Sequence, residues 1–265
     1  MEAQVRLALF DVWMGVRSFP LWSFLSINDI RQRYNRSFLG PFWMAIGLGA
    51  TVIGIGLLYS SILKTPLSSF LPYLAISLLI WYLFSASITE ASTAFLASSS
   101  VLRQRRLPLS ALVVRVISRN VLVAAHNLPV VVLTWLFARR GLPLVSPIAL
   151  IGLAGALINL GWMCLVVAAL SVRYRDVPQI VMTVIQLTIF ITPVFWDASL
   201  IKHSARAAYL WANPFYYMLQ GIRGPLFEGV VDIHWYIGDL VIALVGWIVA
   251  LGVFSIERRK ISLWV

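Results

Sequence analysis

Arg31-Gln32-Arg33-Tyr34-Asn35-Arg36, Arg103-Gln104-Arg105-Arg106 and Arg173-Tyr174-Arg175-Asp176 are three arginine-rich stretches, each beside a long apolar run. Lys and Arg collect on the cytoplasmic side of membrane spans, so the placement of these stretches sets the orientation of the whole chain. Six runs approach the roughly 20 apolar residues that a helix needs to cross about 30 Å of hydrocarbon. They are residues 41–63, 70–90, 113–137, 146–171, 178–196 and 236–256. With the N-terminus inside, the inner segments hold fifteen of the 21 Lys and Arg, and the outer ones hold Lys64, Arg139, Arg140, Lys202, Arg206 and Arg223. The expected architecture is all-α: a polytopic membrane protein with six transmembrane helices, both termini cytoplasmic, and residues 1–265 forming one transmembrane domain.

Composition agrees. Of 265 residues, 60% are hydrophobic and 12% charged, about half the charged share of a soluble domain. The mean hydropathy is +0.88. A net charge of +11 raises the question of nucleic acid, but the basic residues hug span ends, and the positive-inside bias accounts for them. The lone cysteine, Cys164, lies in an apolar run and excludes an internal disulfide.

Three segments are neither simple loops nor spans. In residues 22–38, Ile27, Ile30, Tyr34 and Phe38 fall on one helical stripe, with Asp29, Arg33 and Arg36 opposite. The pattern predicts a helix in the inner interface, with Asp29 and Arg33 as an i,i+4 pair. A membrane anchor and a mechanical element both fit it. In residues 101–110, Pro108 suits a first helical turn, which predicts a turn at the arginines and then a short helix entering span three. A solvated, topology-setting charge run is the plainer reading. Residues 197–235 lie outside yet are rich in aromatics, with breaks at Asn213-Pro214 and Gly224-Pro225. They predict two short helices that are re-entrant or lie on the outer leaflet, or else an interfacial aromatic belt.

Enzymatic chemistry is thin. The three histidines, 126, 203 and 234, form no HExxH, and neither paired cysteine ligands nor a Gly-x-Ser-x-Gly elbow is present. His126 is expected to hydrogen-bond a neighbouring helix. Acids near the bilayer midplane are missing, which argues against an ion-driven carrier; only Glu90 and Asp239 reach membrane depth, near span ends. None of Lys64, Lys202 and Lys260 follows a glycine-rich turn, so no P-loop exists to bind ATP. Small residues do recur: Gly47, Gly49, Gly54 and Gly56 in span one, and Gly152, Gly155, Ala156 and Gly161 in span four. Ordinary close helix packing accounts for them. Aromatic faces suit sugar rings, and Trp43, Tyr59, Phe190, Phe195 and Trp196 are candidates to line a passage, although most membrane aromatics are belt or packing residues.

The segment Asp29-Ile30-Arg31-Gln32-Arg33-Tyr34-Asn35-Arg36-Ser37-Phe38-Leu39-Gly40-Pro41-Phe42-Trp43 resembles the entry to span one in ABC-2 type permeases of bacterial polysaccharide exporters. Arg105-Arg106-Leu107-Pro108, Arg173-Tyr174-Arg175-Asp176, Thr192-Pro193-Val194-Phe195 and Asn213-Pro214 follow in that family's order. The resemblance implies a homodimer in the bacterial cytoplasmic (inner) membrane that exports a lipid-linked polysaccharide such as O-antigen, capsule or teichoic acid. It implies two ATP-binding cassette subunits that hold ATP and Mg, with no cofactor in this chain. Arg103, Gln104, Arg105, Arg106, Leu107 and Pro108 would touch those subunits. Asp29, Arg31, Arg33, Tyr34 and Arg36 would belong to an interface gate helix, and Asn213, Pro214, Tyr216 and Tyr217 to an exit gate. Leu109-Ser110 stand where the family often has a charged pair, so the docking contacts differ here. A drug or lipid permease, a membrane enzyme acting on lipid-linked sugars and a non-transporting scaffold are the competing readings. A dimer also follows from size, because six helices leave little central space whereas two copies about a two-fold axis can enclose a glycan.

Overall fold

In hydrocarbon every backbone N–H and C=O must be satisfied within its own segment, so long apolar runs become helices. The computed structural model describes residues 2–35, 37–40, 42–99, 107–139, 141, 143–202 and 207–264, and these contain helices and no strand. Arg36, Arg103, Gln104, Arg105 and Arg106 lie outside the described residues.

Two 16-residue helices come first, α1 (Glu2–Arg17) and α2 (Phe19–Tyr34). Then follow α3 (Phe42–Leu63), α4 (Leu67–Ala91), the single turn α5 (Ala94–Ala97), α6 (Leu109–Ala138) and α7 (Ala149–Arg173). The chain continues through α8 (Val177–Ile191), the short helices α9 (Ser199–Lys202) and α10 (Ala207–Trp211), α11 (Pro214–Arg223) and α12 (Ile233–Trp264). Among the described residues five stretches are long and apolar enough to cross a membrane: Phe42–Ile62, Leu67–Ala91, Leu109–Ala138, Ser146–Arg173 and Ile233–Ile261. The run at 178–196 forms α8, of 15 residues and about 22 Å at 1.5 Å per residue. It stops where Pro193 has no N–H to continue the ladder, and the apolar chain carries on as a turn with Val194 and Phe195 buried.

Helix α4 is the centre. In its most apolar window 67% of residues are buried, against 17% in α3. It packs along α6, with α3, α7, α8 and α11 also against it. Helices α7 and α12 interlock through glycines: a Cβ on Gly246 would meet the Trp162 ring at 2.1 Å, and one on Gly155 would meet Asp239 Oδ2 at 2.0 Å. Gly152 likewise lets α11 cross α7, since a Cβ there would lie 2.2 Å from the Gly221 carbonyl oxygen. The small residues of span four thus serve close packing. By contrast Gly47 and Gly54 of α3 face open space.

Several expectations are revised. After span two, α4 ends at Ala91, and Ser92-Thr93 break the chain before α5. Span three is not preceded by a separate short helix, because α6 runs unbroken for 30 residues from Leu109, immediately after Pro108. His126 is exposed and bonds the Leu122 carbonyl of its own helix at 2.7 Å, since that carbonyl lies one turn back and no neighbour is needed. The N-terminal 16-residue α1 was not anticipated. It buries Ala8, Asp11 and Gly15 against α6 and α12.

Candidate functional site

Three helices bring charge together at the end of the bundle where α2 and α4 finish and α6 begins. Asp29 of α2 accepts from Arg115 Nε at 2.8 Å and Nη2 at 2.5 Å, and from Arg119 Nη1 at 3.0 Å. Arg119 Nη2 also donates to Glu90 Oε2 of α4 at 2.7 Å, as does Asn120 Nδ2 at 2.8 Å. Arg33 reaches the other Glu90 oxygen at 3.4 Å and stays half exposed. The expected Asp29–Arg33 pair within α2 is therefore not made. Two guanidiniums one turn apart on α6 offer Asp29 a bidentate, partly desolvated geometry that one exposed arginine cannot match. The helix also presents its acid inward, while Ile27 is exposed and Phe38 lies beyond the helix end, fully exposed. Arg31 is exposed. Tyr34 donates to the Met44 sulfur of α3, and burial pushes its hydroxyl pKa up despite Arg33 beside it.

Glu90 sits where three recesses meet. One of about 230 Å³ is walled by Asp29, Arg33, Arg115 and Arg119. A second, of about 340 Å³, lies between α3, α4 and α6 and is lined by Met44, Leu48, Tyr82, Asn120 and Asn127. The third is an open groove of about 600 Å³ between α4 and α8, lined by Trp81, Tyr82, Ser85, Thr89, Gln186 and Phe190. Arg33 and Glu90 line the first two, and Tyr82, Ala86 and Glu90 line both the second and third. The floor of this concave face is α4, and its walls are α3 and α8. Phe190, at 66% exposure, leaves the α8 wall uncovered.

Four of the five candidate passage aromatics meet at the far end of this face. The Tyr59 and Phe195 rings lie 5.9 Å apart, Phe190 and Phe195 6.4 Å, and Trp196 Nε1 donates to the Phe190 carbonyl at 3.2 Å. Phe195 itself is buried. Trp43 is separate, 64% exposed and about 24 Å along α3 from Tyr59 by helical rise.

Beyond the aromatics lies a centre that the sequence did not disclose. Arg223, on α11, is 1% exposed. It donates to Ser77 Oγ at 3.0 Å, to the Pro193 carbonyl at 2.7 Å and to Gln220 Oε1 at 2.6 and 3.0 Å. Its guanidinium stands 4.3 Å from the Tyr73 ring centre and 3.4 Å from Glu228. Asn213 starts α11 by accepting from Phe215 N–H at 3.0 Å, with Pro214 in the first turn, where no N–H is missed. It also donates to Thr192 at 2.8 Å. Tyr216 is buried, its ring 5.4 Å from that of Tyr217, while Tyr209 and Trp211 remain exposed. The segment thus combines a packed hairpin with an exposed aromatic fringe.

At the basic end, Leu107 and Pro108 lead into α6. Pro108 has no side-chain acceptor for the first N–H groups of that helix, and Asp11 of α1 provides one. Its carboxylate accepts from Leu109 N–H at 3.3 Å and Ser110 N–H at 3.0 Å, and pairs with Arg258 of α12 at 3.1 Å. Gly15 allows the approach, since a Cβ there would lie 2.1 Å from Ser110 Oγ.

The profile of the ABC-2 type transporter family matches residues 20–227. The chain belongs to the ABC-2 type transporter family. This ABC-2 protein is 25% identical over 211 residues to the "O-antigen export system permease protein RfbA" of Myxococcus xanthus, covering 76% of the chain and 78% of that protein. With its apolar helices it is a multi-pass membrane component of a transporter. The family match takes in the arginine cluster, the three recesses and Arg223, and leaves out α1 with Asp11 and all of α12.

Proposed function

We propose that this ABC-2 protein is the permease subunit of an exporter of lipid-linked polysaccharide, an O-antigen-like, capsular or teichoic glycan, across a bacterial inner membrane. The observation that carries the reading is the concave face floored by α4. Its groove joins Trp81, Tyr82 and Phe190 to Ser85, Thr89, Gln186 and Glu90. Sugars offer apolar C–H faces rimmed by hydroxyls, and such a lining answers both. The resemblance to an O-antigen permease points the same way. The face is open on one side, and a second copy about a two-fold axis would close it into a channel. Two ATP-binding subunits, holding ATP and Mg, would dock at the cytoplasmic, basic end around residues 101–110, where α1 braces the start of α6. The α2 helix would lie at the inner interface as the gate, and the hairpin at Asn213–Tyr217 would close the exit.

The test is co-expression with candidate ATPase subunits, purification and reconstitution. The expected result is a two-to-two complex that moves a polyprenyl-linked glycan only while hydrolysing ATP, and that loses coupling when Arg105 and Arg106 are changed to Glu. Export by the chain alone, or a complex with one copy of it, would sink the proposal. Transport of a drug or free lipid and not of glycan would keep the permease and change the cargo.

A further inference from the structure

We propose that the recess walled by Arg33, Arg115 and Arg119 binds the phosphoryl group of a membrane amphiphile. This rests on the permease reading and names the part of the cargo held at the basic end. The first ground is charge. Three guanidiniums face two carboxylates, Asp29 and Glu90, which leaves the cluster one positive charge in excess. Asp29 is well matched, with two ligating arginines. Glu90 is held by Arg119 at 2.7 Å and Asn120 at 2.8 Å, and its contact with Arg33, at 3.4 Å, is the loose one of the cluster.

The second ground is unused capacity. Arg119 Nε is buried and has no hydrogen-bond partner among the described residues. A structural ion-pair network would be expected to satisfy such a donor, whereas a phosphoryl oxygen can take it. Arginine is also the side chain best matched to planar, bidentate phosphate recognition.

The third ground is position. Arg119 stands ten residues into α6, about 15 Å along its axis, where an ionisable side chain is costly and marks a ligand path. On the far side of the Arg33–Glu90 pair, the second recess is lined mainly by apolar groups such as Met44, Leu48 and Leu79. A charged recess joined to an apolar one fits a molecule with a phosphorylated head and an apolar body. An incoming phosphoryl group would take the place of the Glu90 carboxylate on Arg33 and Arg119, opening the way between the two recesses.

The experiment uses the full-length chain in neutral-lipid nanodiscs. It compares decaprenyl diphosphate with decaprenol and with inorganic pyrophosphate, bound ligand being counted by native mass spectrometry. The diphosphate lipid is expected to bind at least about tenfold tighter than either other probe, the gain of adding charge-assisted hydrogen bonds. Arg119→Gln and Arg115→Gln should reduce that preference to about twofold or less, and Glu90→Gln, which removes the competing carboxylate, should strengthen binding several-fold. Opposite signs at Arg119 and Glu90 are not what a merely structural network would give. If Arg119→Gln or Arg115→Gln fails to fold, the more exposed Arg33→Gln carries the same prediction. Equal binding of decaprenol, wild-type affinity in the arginine variants, or weaker binding in Glu90→Gln would overturn the site. Pyrophosphate binding as tightly as the lipid would overturn the membrane source. Glycan export by the assembled transporter is a separate readout: if export persists without diphosphate selectivity, only this proposal fails.

Discussion

Arginine is put to opposite uses at the two ends of this bundle. At the α11 end Arg223 is sealed, its donors divided among a serine, a backbone carbonyl, a glutamine and a glutamate, with an aromatic ring alongside. Ser77 lies on α4 and Pro193 in the turn after α8, so one cation ties both to α11. At the other end Arg33, Arg115 and Arg119 share two acids, remain partly exposed and border open recesses. A cation whose donors are all committed holds structure, whereas one with surplus charge and an open neighbour is free to take a ligand.

The largest effect expected from this contrast is at Arg223. Arg223→Ala removes all the bonds that the guanidinium makes and leaves Gln220 Oε1 without its donor, while the Pro193 carbonyl keeps only the Tyr73 hydroxyl at 3.3 Å. Breaking a buried charged network from one side costs about 3–5 kcal/mol, so thermal unfolding in detergent should show a large loss or no folded protein. A near-neutral result would mean that burial does not distinguish the two ends. Asp11→Ala separates burial from position, because Asp11 lies at the basic end yet is only 3% exposed. Losing a helix cap and a charged hydrogen bond together should cost about 2–3 kcal/mol by the same assay. If it were as mild as an exposed pair, location along the bundle would matter more than sealing. Arg119→Gln should fall lower, at about 1–2 kcal/mol, since glutamine keeps one donor for Glu90 or Asp29.

What the sequence disclosed follows the same division. Long apolar runs announce themselves, and α3, α4, α6, α7 and α12 lie where the hydropathy put them to within a few residues, except that α12 runs on to Trp264. Asn213-Pro214 and Pro108 also marked real helix starts, because capping chemistry is local. The polar contacts were illegible for the opposite reason. Asp29 is four residues from Arg33 and 86 from Arg115, and it pairs with the distant one. Arg223 read as an outer-loop charge, although its neighbours Met218, Leu219 and Ile222 are apolar and buried, and that setting was the available hint. Helix α1 hid because its inward face is Ala8, Asp11 and Gly15, small and acidic where a pattern search looks for large apolar side chains.

The smallest stability effect belongs to Arg33→Gln, and it is the sharpest test of the contrast. Arg33 is 49% exposed and meets Glu90 at 3.4 Å. Exposed pairs of this kind contribute about 0–1 kcal/mol and weaken further with salt. Unfolding should therefore shift by less than about 1 kcal/mol, with the difference from wild type fading as salt rises. Diphosphate-lipid selectivity should nevertheless fall, because Arg33 borders both the charged and the apolar recess. A residue that hardly affects folding yet governs binding would be the counterpart of Arg223, which should do the reverse. A loss of several kcal/mol at Arg33 would erase the distinction, since the basic end would then be holding the fold together just as the sealed one does.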